Sequence, residues 1–217
     1  MRFYPINLSI KGKRVVIVGG GAVAYRKCLT LLDAGAAVTV VSPELCAELA
    51  CLANSSRIDW SSRHYREGDL KGAFLAFATT DNSETNRAVV RHAHQKGILI
   101  NVADASDPGD FTVPASIATG DLLVTVSTGG TCPAFSRWLR EDLQNRIGPE
   151  HAKALALLVK VREKLLTEGG DTAYNKRLLS ELANSNLPEL FKNDRREEIE
   201  AIVRHITGLA FSPELLQ

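Results

Sequence analysis

The chain has 217 residues, of which 45% are hydrophobic and 24% charged, with a formal net charge of +1. That is enough for a sizeable core, ordinary for a globular protein, and not basic enough for a nucleic-acid footprint. The opening Met1-Arg2-Phe3-Tyr4-Pro5-Ile6 lacks the apolar stretch of a secretory signal, and no run reaches the ~18 apolar residues of a membrane helix, so the expected compartment is the cytoplasm, with no membrane and no nucleic-acid partner. Strand and helix patterns then alternate. Arg14–Val18 is a short apolar run of the kind a buried parallel strand needs, and Gly19-Gly20-Gly21 follows it. Apolar residues at helical spacing run from Val23 to Leu32 and stop at Ala34-Gly35. Ala37–Val41 is a second strand, and Ser42-Pro43-Glu44 has the residues of a helix start, serine as cap and proline in the first turn, for a helix to about Ala53. Ile58–Trp60 and Phe74–Ala78 are strands three and four, Ser83–Lys96 a helix ending at Gly97, and Ile98–Val102 strand five.

Beyond Val102 the pattern changes. Asp104–Gly109 is rich in Asp, Ser, Pro and Gly and reads as a loop. Phe111–Ile117 and Leu122–Ser127 read as a hairpin about the turn Ala118–Asp121. Phe135, Trp138, Leu139, Leu143 and Ile147 mark one helix face, broken by Gly148-Pro149, and helices follow over Glu150–Leu166, Thr172–Asn184 and Arg195–Thr207. The expected architecture is α/β: a doubly wound parallel Rossmann sheet over residues 1–110, a small hairpin and helix region over 111–148, and a helical region over 149–217.

Three features carry chemistry. Gly19-x-Gly21-x-x-Ala24 follows a strand and opens a helix, the context in which such glycines let a backbone approach a pyrophosphate and offer it helix N–H groups. Gly19, Gly20, Gly21, Ala22 and Val23 are therefore candidate cofactor contacts. The acidic residue that often ends the second strand and holds ribose hydroxyls is replaced by Val41-Ser42-Pro43, with Glu44 next, so Ser42, Pro43 and Glu44 are the candidates there. The absence of Arg or Lys in that stretch favours NAD over NADP, and FAD remains open on the glycines alone. Second, Asn101-Val102-Ala103-Asp104 lies at the carboxyl end of strand five, where α/β sheets bind ligands. Asp104 is there either a general base or a turn-capping carboxylate. Third, Ser127-Thr128-Gly129-Gly130-Thr131-Cys132-Pro133 runs from a strand into a helix, as an anion nest, a capping loop, or both.

The cysteines, Cys28, Cys46, Cys51 and Cys132, form no C-x-x-C pair and read as reduced thiols. His92 and His94, two apart on one helix, are a poor metal pair, and no metal site is expected.

Together these features resemble precorrin-2 dehydrogenase, the siroheme-pathway family found alone or as the N-terminal part of siroheme synthase. The matching residues are Val18-Gly19-Gly20-Gly21-x-Val23-Ala24-x-Arg26-Lys27, Leu31-Leu32-x-Ala34-Gly35-Ala36, Val40-x-Ser42-Pro43, Ala78-Thr79-x-Asp81, Asn101-Val102-x-Asp104, Phe111-x-x-Pro114-Ala115 and Ser127-Thr128-Gly129-Gly130, spread from about Pro5 to Ile147. The resemblance implies NAD-dependent oxidation of precorrin-2 to sirohydrochlorin, with ferrous iron insertion in some members. It makes Asp104 the catalytic residue, adds Thr79 and Asn101 to the cofactor contacts, and gives Ser127, Thr128, Gly129 and Gly130 to the tetrapyrrole. It also implies a homodimer joined through the 111–148 region. Where the family usually has Thr-Ser-Pro, this chain has Thr131-Cys132-Pro133, and a thiol is the poorer hydrogen-bonding group. No counterpart of the methyltransferase extension is seen, so precorrin-2 is expected from a separate protein. A chelatase alone and a non-catalytic NAD(H) sensor are the alternatives.

Overall fold

The computed structural model describes residues 2–103, 109–167 and 172–209. The chain divides into two compact units, Met1–Val113 and Pro114–Gln217.

The first unit is built on five parallel strands, β1 (Arg14–Val18), β2 (Ala37–Val41), β3 (Asp59–Ser61), β4 (Leu75–Ala78) and β5 (Leu99–Val102), in the order β3-β2-β1-β4-β5. The apolar runs are continuous because both faces are covered. Val15 and Ile17 enter one core with Ala24, Cys28, Leu31, Leu49 and Phe77, while Val16 and Val18 enter a second with Ala76, Val89, Ala93 and Ile100. Helices α1 (Ala22–Asp33), α2 (Ala47–Asn54) and α3 (Ser83–Gln95) supply the covering side chains. The register aligns Val18 with both Val41 and Ala78, and Ala78 with Val102, so four strand ends lie level. The chain turns one way from β1 to β2 and the other way to β4, which opens a crevice at the carboxyl end of β1.

Two expectations need correction in this unit. The second helix does not open at Ser42-Pro43-Glu44; it begins at Ala47, with Cys46 as its cap. The carbonyls that would start a helix there are taken from the side: Trp60 Nε1 donates to the Ser42 carbonyl (3.0 Å) and Ser62 Oγ to that of Pro43 (3.3 Å), while the Cys46 N–H donates to Gly20 O (2.8 Å). Tertiary bonds override a good local helix-start sequence. Phe111, expected to begin a strand, instead belongs to this unit's core, its ring edge-on to Phe77 with centroids 5.6 Å apart.

In the second unit, β6 (Ala115–Thr119) and β7 (Leu122–Val126) form an antiparallel hairpin around Gly120-Asp121, with Gly120 at φ +55°. Beginning the strand after Pro114 fits proline's lack of an N–H to give a ladder. Helix α4 (Pro133–Gln144) packs on the hairpin. Helices α5 (Pro149–Thr167), α6 (Thr172–Ala183), α7 (Leu187–Lys192) and α8 (Arg196–Thr207) enclose a core of Leu157, Val161, Leu182, Leu187, Ile199 and Val203. The short α7 has no counterpart in the sequence reading, because six residues are too few to show a period. Among the described residues, no helix is long and apolar enough to cross a membrane.

Candidate functional site

The three glycines after β1 do different work. Gly19 has φ +123°, and a Cβ on it would stand 2.6 Å from Thr79 Oγ1 and 2.8 Å from Thr79 O. Its N–H donates to Val41 O (3.0 Å), and the Thr79 N–H and hydroxyl both reach Val18 O (2.8 and 3.0 Å), which draws the ends of β1, β2 and β4 together. Gly20 lies against the Glu44 carbonyl and the Ser42 hydroxyl, leaving no room for a side chain. Gly21, the cap of α1, is extended and has nothing within 4 Å of the place a Cβ would take. Two glycines thus close the loop on the protein, and the third leaves open space before the positive end of a helix whose first turn carries no acid.

That space is part of a cleft of about 610 Å³ at the carboxyl ends of β1, β2 and β4. Gly19, Gly20, Gly21, Ser42, Pro43, Glu44 and Thr79 line it. Ala22 and Val23 form the first turn of α1 behind the loop rather than the cleft wall. Asn101 is not on the wall either: it is buried, and its Nδ2 donates to Phe111 O (2.8 Å). The structure adds Leu45, Cys46, His64, Tyr65, Thr80, Asp81, Asn82 and Thr85 to the lining. Only Asp81 carried a signal in the sequence, as part of Ala78-Thr79-x-Asp81. Asn86 fixes the β4 exit by donating Nδ2 to Thr80 O (2.9 Å) and accepting the Thr80 N–H at Oδ1 (3.3 Å). Tyr65 shares a hydrogen bond with His92 Nδ1 (3.1 Å) and stacks on its ring. Burial, together with the nearby Asp69 and Glu67, pushes the Tyr65 phenol up to about 12, so it stays neutral at physiological pH.

Asp104 lies outside the described residues. The chain on either side of it is tied to the sheet. The Ala103 N–H donates to Ala78 O (2.9 Å). Asp110 exchanges backbone and side-chain bonds with Ile100, its N–H reaching Ile100 O (2.8 Å) and its Oδ2 accepting the Ile100 N–H (2.9 Å), while its Oδ1 meets His94 Nε2 at 3.0 Å.

In the second unit, the Ser127–Gly130 loop turns through Gly129 and Gly130, both at positive φ. Its hydroxyls are engaged at home. Ser127 Oγ accepts the Gly129 N–H (3.2 Å), and Thr128 Oγ1 accepts the Cys132 N–H (3.3 Å) and lies 3.0 Å from Ser136 Oγ. The capping role of the loop is therefore realised by Thr128, while Cys132, the formal cap, makes no side-chain capping bond. All four cysteines are free thiols. Among the described residues, no group of three or more His, Cys, Asp or Glu could hold a metal.

A family model described as "Putative NAD(P)-binding" matches residues 6–115, which span the sheet, the glycine loop and the cleft. The chain belongs to this NAD(P)-binding family. Siroheme synthase 1 of Aeromonas salmonicida (strain A449) is 40% identical over 185 residues, 83% of this chain and 39% of that protein. The siroheme synthase of Thioalkalivibrio sulfidiphilus (strain HL-EbGR7) is 34% identical over 213 residues, 96% of this chain and 43% of the relative. The chain thus spans about two fifths of the length of these relatives. The solved structure of "SirC, precorrin-2 dehydrogenase" has the same fold, with a TM-score of 0.76 at 24% identity, covering 95% of this chain and all of the other. The cleft fits the dinucleotide that family membership brings. Gly21 leaves space where a pyrophosphate needs it, the α1 N-terminus faces that space, and Ser42 and Glu44 offer oxygens at the β2 end for ribose hydroxyls.

Proposed function

We propose that this protein oxidises precorrin-2 to sirohydrochlorin with NAD as acceptor. The observation that carries the reading is the extent of the likeness to siroheme synthases: it runs over 96% of the chain, well past the dinucleotide-binding unit, so it includes the segments that a shared cofactor alone would not preserve. In the reaction the macrocycle gives up a hydride and a proton. NAD, when bound, supplies the hydride acceptor. The protein binds the pyrophosphate at Gly21 and α1 and the ribose at Ser42 and Glu44, with Thr79 setting the width of the crevice. Asp104, two residues after the last residue of β5 in the chain, takes the proton, and the Ser127–Gly130 loop holds substrate carboxylates, with the Gly130 N–H as donor. NAD is preferred over NADP because no Lys or Arg lines the described cleft. The enzyme works in the cytoplasm.

The second unit supports a homodimer. Phe135 and Trp138, whose rings meet on α4, are 50% and 58% exposed, Leu123 on β7 is 49% exposed, and a two-stranded hairpin is marginal alone, so a second copy is the natural cover for these apolar side chains.

The deciding experiment is anaerobic: purified protein with enzymatically generated precorrin-2 and NAD, followed by absorbance for sirohydrochlorin and NADH, then by ferrous iron. Appearance of both products establishes the dehydrogenase, and a further change to siroheme above the no-enzyme rate adds iron insertion, in which the metal replaces two pyrrole protons. Folded protein that oxidises nothing with NAD or NADP overturns the reading.

A further inference from the structure

Arg63 is carried on a loop that the fold brings against the β2 end of the cleft, although it does not itself line the cleft. The loop after β3 is stitched to the loop after β2: the Ser42 N–H donates to Ser61 O (3.2 Å), Trp60 Nε1 to Ser42 O and Ser62 Oγ to Pro43 O. Ser42 and Pro43 line the cleft, as do His64 and Tyr65 a little further along the second loop. Arg63 lies between Ser62, which touches Pro43, and His64, which is on the wall. Its guanidinium, however, is held in a fork on Asp69, Nη1 to Oδ2 at 2.8 Å and Nη2 to Oδ1 at 2.6 Å, and Nη1 also donates to His64 O (3.1 Å). Asp69 is in turn fixed by the Arg66 N–H (2.7 Å) at the start of the 3-10 turn Glu67–Leu70, and its side chain is 9% exposed. Its hydrogen bond to Arg63 is the main cause holding the Asp69 carboxyl below its ordinary range.

We propose that the Arg63–Asp69 fork sets the choice between the two dinucleotides, by occupying a guanidinium on the loop that supplies His64 and Tyr65 to the cleft and so withholding it from a ribose 2′-phosphate. This rests on the dinucleotide reading of the cleft and names the residues that give it its selectivity. A planar guanidinium binds phosphate through the same parallel pair of N–H groups that it here spends on Asp69, so the two partners compete for one set of donors. Tied to Asp69, the arginine is half of a neutral pair, and the added charge of a 2′-phosphate would meet Glu44 on a described wall that carries no Lys or Arg. NAD, which ends in a hydroxyl at that place, needs no counter-charge.

The test is dinucleotide binding to the whole protein, NAD and NADP measured separately by titration calorimetry. Two single variants, Asp69→Asn and Asp69→Ser, keep an oxygen that can accept the Arg66 N–H while giving up the charge that holds Arg63. Each is expected to tighten NADP by roughly tenfold while NAD stays within about threefold, the size of effect a released charge-assisted pair supplies. The double variant Asp69→Asn/Arg63→Gln should return NADP to its wild-type affinity. An unchanged NAD-to-NADP ratio in both single variants, or tighter NADP binding that persists without Arg63, overturns the proposal while leaving the cleft reading intact. Loss of NAD binding in both variants also overturns it, because the pair would then be required for the site itself. If the wild-type protein binds neither dinucleotide, the reading of the cleft fails and this proposal with it.

Discussion

Exchanging single glycines in the loop after β1 separates what the loop does for the fold from what it does for the cofactor. A Cβ on Gly20 would run into the carbonyl of Glu44, which is backbone and cannot rotate away, and would stand 2.8 Å from Ser42 Oγ. Relieving that contact pushes the 42–46 loop outwards and strains the Cys46 N–H to Gly20 O bond. Overpacking of this kind costs about 1–3 kcal/mol, and a weakened hydrogen bond about 1 more. At roughly 2–4 °C per kcal/mol for a chain of this size, Gly20→Ala should lower the melting temperature by roughly 4–16 °C without ligand. Gly21→Ala meets nothing within 4 Å, and its backbone, φ −90° and ψ −172°, suits alanine. A poorer cap, about 0.5–1 kcal/mol, is offset by the similar gain from a stiffer unfolded chain, so stability without ligand should hardly change. The new methyl does, however, occupy the space left for the pyrophosphate. A tenfold weaker affinity is about 1.4 kcal/mol, and at a ligand level near 100 times the wild-type Kd the stabilisation by NAD should drop from about 2.7 to about 1.4 kcal/mol. Thermal denaturation with and without NAD reads both effects. A Gly20→Ala protein as stable as wild type, or a Gly21→Ala protein that binds NAD unchanged, would refute the division of labour.

Asp104→Asn should bind NAD with wild-type affinity yet lose dehydrogenase turnover by about 100-fold or more, the usual contribution of a positioned base, and retained turnover removes the aspartate from that role. Phe135→Ser/Trp138→Ser should convert a dimer to a single-chain species in sedimentation analysis without loss of helical circular dichroism; an unchanged oligomer moves the interface elsewhere. Native thiol labelling should reach the exposed Cys51 and Cys132 and spare the buried Cys28 until the protein unfolds. Burial pushes the Cys28 thiol up to about 11, so above pH ~9 the unfolded chain releases a proton that the folded one keeps. The stability this group contributes is whole below that pH and falls as the pH rises towards 11. Cys28→Ala should flatten the alkaline limb of the denaturation curve, and an unaltered limb would exclude the thiol as its cause.

The parallel sheet is legible in the sequence because both faces of each strand are buried, so apolar runs such as Val15–Val18 stand out without alternation, and positive-φ glycines such as Gly35 and Gly97 mark the ends of helices. The glycine loop is legible for the same local reason. What is not legible depends on partners distant in the chain. Ser42-Pro43-Glu44 is a fair helix start by itself, and bonds to Trp60, Ser61, Ser62 and Gly20 keep it a loop. His64 and Tyr65 reach the cleft because β3 lies beside β2, a pairing with no signature in a three-residue strand. Arg63 belongs to the same class: a search for basic residues confined to the end of β2 passes over an arginine on the neighbouring loop.

Asn101 ties the end of β5 to the chain that returns at 109–111. Its position at the carboxyl end of β5 invites a cofactor role, yet its amide is spent on the Phe111 carbonyl. Phe111 packs on Phe77, Phe77 pairs in register with Asn101, and Asp110 locks onto Ile100 through two groups, its N–H and Oδ2, while its Oδ1 meets His94. The returning chain at 109–111 is thereby bonded to the same strand that the outgoing chain leaves, and Ala103 is held to Ala78 on the other side. Residues 103 and 109–111 are thus fixed points on the sheet. The proposed base, Asp104, follows Ala103 directly, and a misplacement of about 1 Å can cost ~100-fold in rate. Asn101→Ala should therefore lower turnover while leaving the affinity for NAD near wild type, and a parallel loss of NAD affinity would restore Asn101 to the cofactor site.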